Sequence, residues 1–281
     1  MKKALSLLLA LTMALALTAC GGTKTDDTQT SDTTEATESE ETQNTAEAVE
    51  LIVFAAASLT ETLDEIIENY KTVAPNVTIT PSYESSGTLL EQIQSGADCD
   101  LFLSAGASQM DTLEENGGVL EGSRLDLLEN KVALAVPEGN PKGIESFDQL
   151  SELLKSGDVF LAIGNSDVPV GQYTQKILAY YDLDEEALAA AGVITYGSNV
   201  KEVTTQITEA SVDAGVVYCT DAYSAGLTPV DEATKEMCGQ VIYPAAVLKA
   251  APNAEVAKEF LAYLQTDRAA TVFEGVGFSA V

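Results

Sequence analysis

From residue 50 onward the chain alternates between two hydrophobic patterns. Short apolar runs predict strands at 51–55, 77–83, 100–103, 131–136, 160–163, 193–196, 215–218 and 241–248. Several lack the alternation of apolar and polar positions, as expected of strands buried on both faces. Between them, apolar residues recur at helical spacing over 59–71, 88–95, 107–116, 146–155, 172–181, 200–210 and 253–265. Strand followed by helix, repeated without an internal sequence repeat, predicts an α/β fold with mostly parallel sheets.

The junctions are more informative than the elements. "VFAAASLTETL" runs a strand into a helix through three alanines and Ser58, with almost no loop. "SLTE" (58–61), "TLLE" (88–91), "SFDQ" (146–149) and "NVKE" (199–202) read as capping boxes, with Ser58, Thr88, Ser146 and Asn199 as the caps. In "VPVGQYTQKIL" (168–178), Pro169 and Gly171 sit where a helix begins. A cap stabilises a helix by about 1 kcal/mol and needs no ligand. Placement adds meaning. Ser58 ends the first strand, and Ser85-Ser86-Gly87 lies just past the second. Ends of neighbouring strands form the ligand crevice of an open α/β sheet. Helix N-termini there offer unpaired N–H groups to an anion. No P-loop or GxGxxG is present, which points to a small anion and away from a nucleotide.

Composition narrows the chemistry. The 281 residues carry a net charge of −30, most of it after residue 49. That argues against nucleic acid or an anionic membrane surface as partner. There is no histidine, so His-based triads, Cys-His dyads and His-ligated metal sites are excluded. Cys99, Cys219 and Cys238 form no CxxC pair and are expected to be structural thiols. The first residues, "MKKALSLLLALTMALALTAC", have a basic start, an apolar run and small residues ending at Cys20, the layout of a signal peptide over 1–19. "LTAC" resembles the lipobox of bacterial lipoproteins, which implies cleavage before Cys20 and lipid on its sulfur. Residues 20–49 are then an acidic, weakly apolar tether that cannot offset its ordering entropy by burial.

"VFAAASLTETL", "YESSGTLLEQIQSGADCDLFLSA", "DVPVGQYTQKIL", "GSNVKEV", "AGVVYCTDA", "VIYPAAVL" and "FEGVGF", in this order, resemble the molybdate-binding proteins of bacterial ABC transporters. The resemblance covers nearly all of 50–281. It implies the two-lobed fold of type II periplasmic binding proteins, with 50–128 and 247–281 as lobe one, 129–246 as lobe two, and crossings near 130–137 and 241–248. It implies that molybdate or tungstate is held by the hydroxyls of Ser58, Ser86 and Tyr218 and by the backbone N–H groups at Val170 and Val200. Gly87 departs from the family, which carries a third serine there. The resemblance further implies no catalytic residue, no cofactor, no cation ligand, and a monomer. Such a protein passes its ligand to an ABC permease from the extracytoplasmic face of the cell membrane, held only by its lipid anchor.

Hydroxyl and amide donors alone can satisfy a dianion when they are fixed in advance. Size would then separate molybdate and tungstate from the smaller sulfate. A donor-only cage would reject phosphate, which brings a proton. Two rivals remain. One is a binding protein for another oxyanion such as sulfate. The other is a serine-type hydrolase, because "SNVK" (198–201) matches S-x-x-K, although K-T-G is missing.

Overall fold

The structure, a computed structural model, describes residues 47–281. The signal-peptide, Cys20 and most of the tether readings lie outside these residues. The first part of the chain forms β1 (Val49–Ala56), a 3₁₀ turn (Ala57–Leu59), α1 (Thr60–Tyr70), β2 (Val77–Glu84), α2 (Ser86–Gln94), β3 (Leu101–Leu103), α3 (Ala107–Glu115) and β4 (Leu125–Asn130). The middle contributes β5 (Val132–Ala135), α4 (Phe147–Ser156), β6 (Leu161–Gly164), α5 (Pro169–Tyr180), α6 (Glu185–Ala190), β7 (Ile194–Gly197), α7 (Val200–Thr208), β8 (Ala214–Tyr218), α8 (Cys219–Ser224), β9 (Pro229–Glu232) and α9 (Lys235–Cys238). The chain closes with β10 (Val241–Val247), α10 (Ala254–Tyr263), α11 (Asp267–Gly275) and β11 (Ser279–Ala280).

Two sheets result, one per lobe. The first has the order β11-β4-β10-β3-β1-β2 and the second β7-β6-β8-β5-β9. β1 pairs in parallel with β2 and β3, and β6 with β7 and β8. These are the strands joined by crossover helices, which place successive strands side by side and parallel. The strands next to the crossings run antiparallel: β10 against β3 and β4, and β5 against β8 and β9. The sheets are therefore mixed where the chain passes between lobes.

The sheets are buried on both faces, and the strand sequences show why. On β1, Leu51, Val53 and Ala55 join the main core with Leu63 and Ile66 of α1. Phe54 points to the other face and packs with Leu89, Phe102, Met110 and Leu113 beneath α2 and α3. Removing each such side chain from water stabilises the fold by roughly 1.5–3 kcal/mol. Capping behaves as its chemistry requires at two of the expected sites. The Ser146 hydroxyl accepts from Gln149 N–H, and Asn199 Oδ1 accepts from Glu202 N–H. At Gly157, φ is 76°, and this left-handed residue ends α4.

Two junctions differ from expectation. Ser58 caps nothing: it lies inside the 3₁₀ turn, and α1 begins without a side-chain cap. Thr88 is not a cap either. α2 starts earlier, and Ser85 Oγ accepts from Thr88 N–H. The lobe boundary also differs. β10 lies wholly in the first sheet, so the second crossing is over before Val241 rather than at 246–247. The first crossing is the single step from Asn130 to Val132. Ion pairs between Lys131 and Glu232 (2.7 Å) and between Lys235 and Glu129 (3.4 Å) bind the two crossings together.

Candidate functional site

On lobe one, the tight turn after β1 buries Ser58 and turns its hydroxyl inward. Ser58 Oγ lies 3.0 Å from the Tyr243 hydroxyl on β10. Asn130, at the first crossing, sets the direction of this contact. Its Oδ1 accepts from Lys131 N–H at 2.8 Å, which fixes the amide orientation. Its Nδ2 then donates to Tyr243 Oη at 3.1 Å and to Thr220 Oγ1 at 2.9 Å. With Asn130 donating to Tyr243, the Tyr243 proton can go to Ser58, an arrangement that leaves the Ser58 proton for the cleft.

Ser86 is the first residue of α2 and is fully buried. Its Oγ accepts from Ala105 N–H at 2.9 Å. A hydroxyl that already accepts has one proton left to give. Ser85 performs the capping, so Ser86 is spared that task.

Lobe two presents two helix starts and a tyrosine. α5 opens with Pro169 in its first turn, where a missing N–H costs nothing. Gly171 is required by packing: a Cβ there would overlap the carbonyl oxygens of Gly164 and Asn165. α7 opens at Val200, directly after its Asn199 cap. Tyr218 ends β8; its hydroxyl donates across the cleft to the Ala105 carbonyl at 3.3 Å, and its ring meets that of Tyr243 edge-on at 5.6 Å.

These elements enclose one cavity of about 10 Å³, with Ser58, Ser86, Ala105, Pro169, Val200 and Tyr218 on its wall. That is room for about one water-sized sphere in the closed cleft. Val170 is buried one residue behind the wall, which Val168 and Pro169 form instead. Glu84, at the end of β2, also lines the cavity. The lobes are shut. Lys201 on α7 meets Glu61 on α1 at 2.7 Å, Ser108 Oγ donates to Gln172 Oε1 at 3.0 Å, and Gly87 N–H donates to the Asp167 carbonyl at 3.1 Å.

Comparison with known proteins agrees with this architecture. The family model of bacterial extracellular solute-binding proteins matches residues 51–279. The chain belongs to that family. YvgL of Bacillus subtilis (strain 168), assigned as an ABC transporter substrate-binding lipoprotein, is 36% identical over 234 residues, covering 83% of this chain and 87% of YvgL. The molybdate-binding protein ModA of Escherichia coli (strain K12) is 32% identical over 238 residues, covering 82% of this chain and 89% of ModA. Among solved structures, the periplasmic molybdate-binding protein of Azotobacter vinelandii superposes with a TM-score of 0.71 over 82% of this chain and 98% of that one. At 21% identity it shows the shared two-lobed fold.

The electrostatics of this solute-binding protein rest on neutral donors. Burial holds the Tyr218 and Tyr243 hydroxyls well above their ordinary pKa, so both remain protonated donors. The Lys201 ammonium is occupied by Glu61 and by Asp221 at 3.5 Å. Asp221, on α8, is buried with neither carboxylate oxygen hydrogen-bonded among the described residues. Burial pushes it up to about 7, against the opposing pull of Lys201. The S-x-x-K pair is not assembled as a nucleophile and base: Ser198 is exposed at the helix start, and the Lys201 ammonium is turned to the two carboxylates.

Four residues escaped the sequence reading: Tyr243, Asn130, Glu84 and Asp221. Glu84 was visible beside the serines in "YESSG". The other three carry no local signal, because the fold alone brings their strands and helices to the cleft. Cys99 and Cys238 are buried, Cys219 is half-buried, and all three are free thiols.

Proposed function

We propose that this protein captures molybdate, and tungstate almost as well, outside the cell and delivers it to an ABC importer. The observation that carries this reading is the small closed cavity lined from both lobes by Ser58, Ser86 and Tyr218 and by the helix starts at Pro169 and Val200. Ser58, Ser86 and Tyr218 would each give a proton to an oxygen of the anion, and the amides around Pro169–Val170 and at Val200 would complete the set. A hydrogen bond to a charged acceptor is worth roughly 1.5–3 kcal/mol against water. Several of them, less the cost of closing the lobes, support submicromolar binding. The chain's net charge of −30 does not prevent this. Salt screens distant charges over about 8–10 Å, while the donors act at contact.

Glu84 favours a second reading. Turned toward the ligand, its carboxylate would accept the proton of hydrogen phosphate, which donors alone would repel. A more distant relative, an aconitate isomerase of Pseudomonas sp, is 25% identical over 245 residues. The wall carries no cationic side chain, which a tricarboxylate would call for.

The test is thermal unfolding with each oxyanion. At one hundred times the Kd, a ligand stabilises by about 2.7 kcal/mol. In a chain of this size that raises Tm by roughly 5–11 °C. Molybdate and tungstate are expected to give that shift, and sulfate and phosphate at equal concentration little. Equal shifts with sulfate would remove the size argument, and a larger shift with phosphate would select the Glu84 reading.

The same reading places the mature protein at the membrane through lipid on Cys20. Cell fractionation is expected to find the wild type with membranes and Cys20→Ser released. Identical release of both would contradict anchoring.

A further inference from the structure

The sequence carries glycine at position 87, where the family it resembles has a third serine in the run. The structure gives this glycine a partner in the opposite lobe. Gly87 N–H donates to the Asp167 carbonyl in the loop between β6 and α5, at 3.1 Å. A Cβ at position 87 would overlap that carbonyl oxygen and stand 2.9 Å from Asp167 Cβ and 3.0 Å from its carbonyl carbon.

The local backbone does not call for glycine. Gly87 lies inside α2 and is not among the positive-φ glycines, so alanine fits the conformation and favours the helix. What calls for glycine is the approach of lobe two. The other contacts described across the cleft, Lys201 with Glu61, Ser108 with Gln172 and Tyr218 with the Ala105 carbonyl, each use a side chain, which can rotate away. The contact at Gly87 is backbone on backbone and cannot.

We propose that Gly87 is the positioning residue for closure of the cleft. Lacking a Cβ, it lets the 165–168 loop seat on the start of α2, and its amide, which a helix start would otherwise offer to an anion, holds the lobes together. The anion then relies on the Ser86 hydroxyl at this helix. The proposal rests on the solute-binding reading above and adds how closure is achieved.

Carbodiimide cross-linking tests it without any ligand. The reagent joins an ammonium to a carboxylate in direct contact, so a Glu61–Lys201 isopeptide, read by peptide mass spectrometry, reports the closed form. The wild type is expected to form it. Gly87→Ala is expected to lower its yield about fivefold or more and to weaken molybdate binding roughly tenfold, because fewer molecules reach the competent state. Its melting temperature without ligand should be unchanged or raised. Asp167→Ala keeps the backbone carbonyl and should cross-link and bind as the wild type does. Equal cross-linking in Gly87→Ala, or none in the wild type, overturns the proposal. So does a lowered melting temperature in Gly87→Ala, which would mean that α2 itself needs the glycine. If the wild type binds no molybdate while cross-linking behaves as described, the ligand assignment fails and the role of Gly87 stands.

Discussion

Tyr218→Phe is expected to bind molybdate about 10- to 150-fold more weakly while the ligand-free protein unfolds with near wild-type stability. The substitution keeps the ring, which is fully buried and packed edge-on against Tyr173 and Tyr243. A volume-conserving change of this kind costs under about 1.5 kcal/mol. The lost hydroxyl donates to the Ala105 carbonyl across the cleft at 3.3 Å and lies beside the Tyr243 hydroxyl. The Ala105 bond exists only when the lobes are shut, and on binding the hydroxyl's one proton would turn from that carbonyl to the anion. In the bound state, its removal leaves a dehydrated, charged oxygen one donor short, a loss of roughly 1.5–3 kcal/mol, and the fold-change follows directly. The measurement is paired: chemical unfolding of the ligand-free protein and calorimetric affinity for molybdate. Unchanged affinity would remove Tyr218 from the site. A large loss of ligand-free stability would assign the hydroxyl to the fold instead.

The second large effect concerns pH and Asp221. Its carboxyl is pushed up to about 7 by burial, with Lys201 pulling the other way and Glu61 and the Tyr218 and Tyr243 hydroxyls near enough to matter. In the unfolded chain an aspartate ionises near 4. Between about pH 4 and pH 7 the folded form therefore binds more protons than the unfolded form, and stability falls as pH rises through that window. This is the reverse of the usual ion-paired carboxylate. Asp221→Asn cannot ionise, so the variant should lack this slope. Relative to wild type, its unfolding free energy is expected to rise by roughly 4 kcal/mol between pH 4 and pH 8. Taking the difference between the two proteins cancels the other carboxylates, which slope the other way. Denaturant unfolding at several pH values checks it, and parallel pH profiles would mean that Asp221 is solvated or ionised in the folded protein.

The two cases show where reading the sequence stops. Tyr218 was legible because it ends an apolar strand inside a recognisable motif. Asp221 stands three residues later in "YCTDA" and was passed over, since nothing local says that α8 buries it beside Lys201. Ser58 shows the same limit in another form. "SLTE" is a sound capping signal. The turn after β1 nonetheless tightens to 3₁₀ geometry, Thr60 Oγ1 donates to the Ala57 carbonyl, and the serine is turned toward Tyr243 on a strand far along the chain. Tertiary contact overrode a local preference worth about 1 kcal/mol. β4 was missed because Asp126 and Glu129 disfavour a strand by themselves. Pairing with β10 on one side and β11 on the other decides it.

The alternation of strands and helices, their burial on both faces and several helix starts, such as those at Ser146 and Asn199, were determined by the sequence, because spacing of apolar residues and capping chemistry act over a few neighbouring positions. The serines and the tyrosine were legible for the same reason: each sits at a strand end beside a helix start. The direction of their protons was decided only by the tertiary structure. Asn130, Tyr243 and Ala105 come to Ser58 and Ser86 from separate elements, and a hydroxyl's free proton depends on what it already accepts. The use of Gly87 was likewise hidden, since the reason for a missing Cβ lies in the opposite lobe.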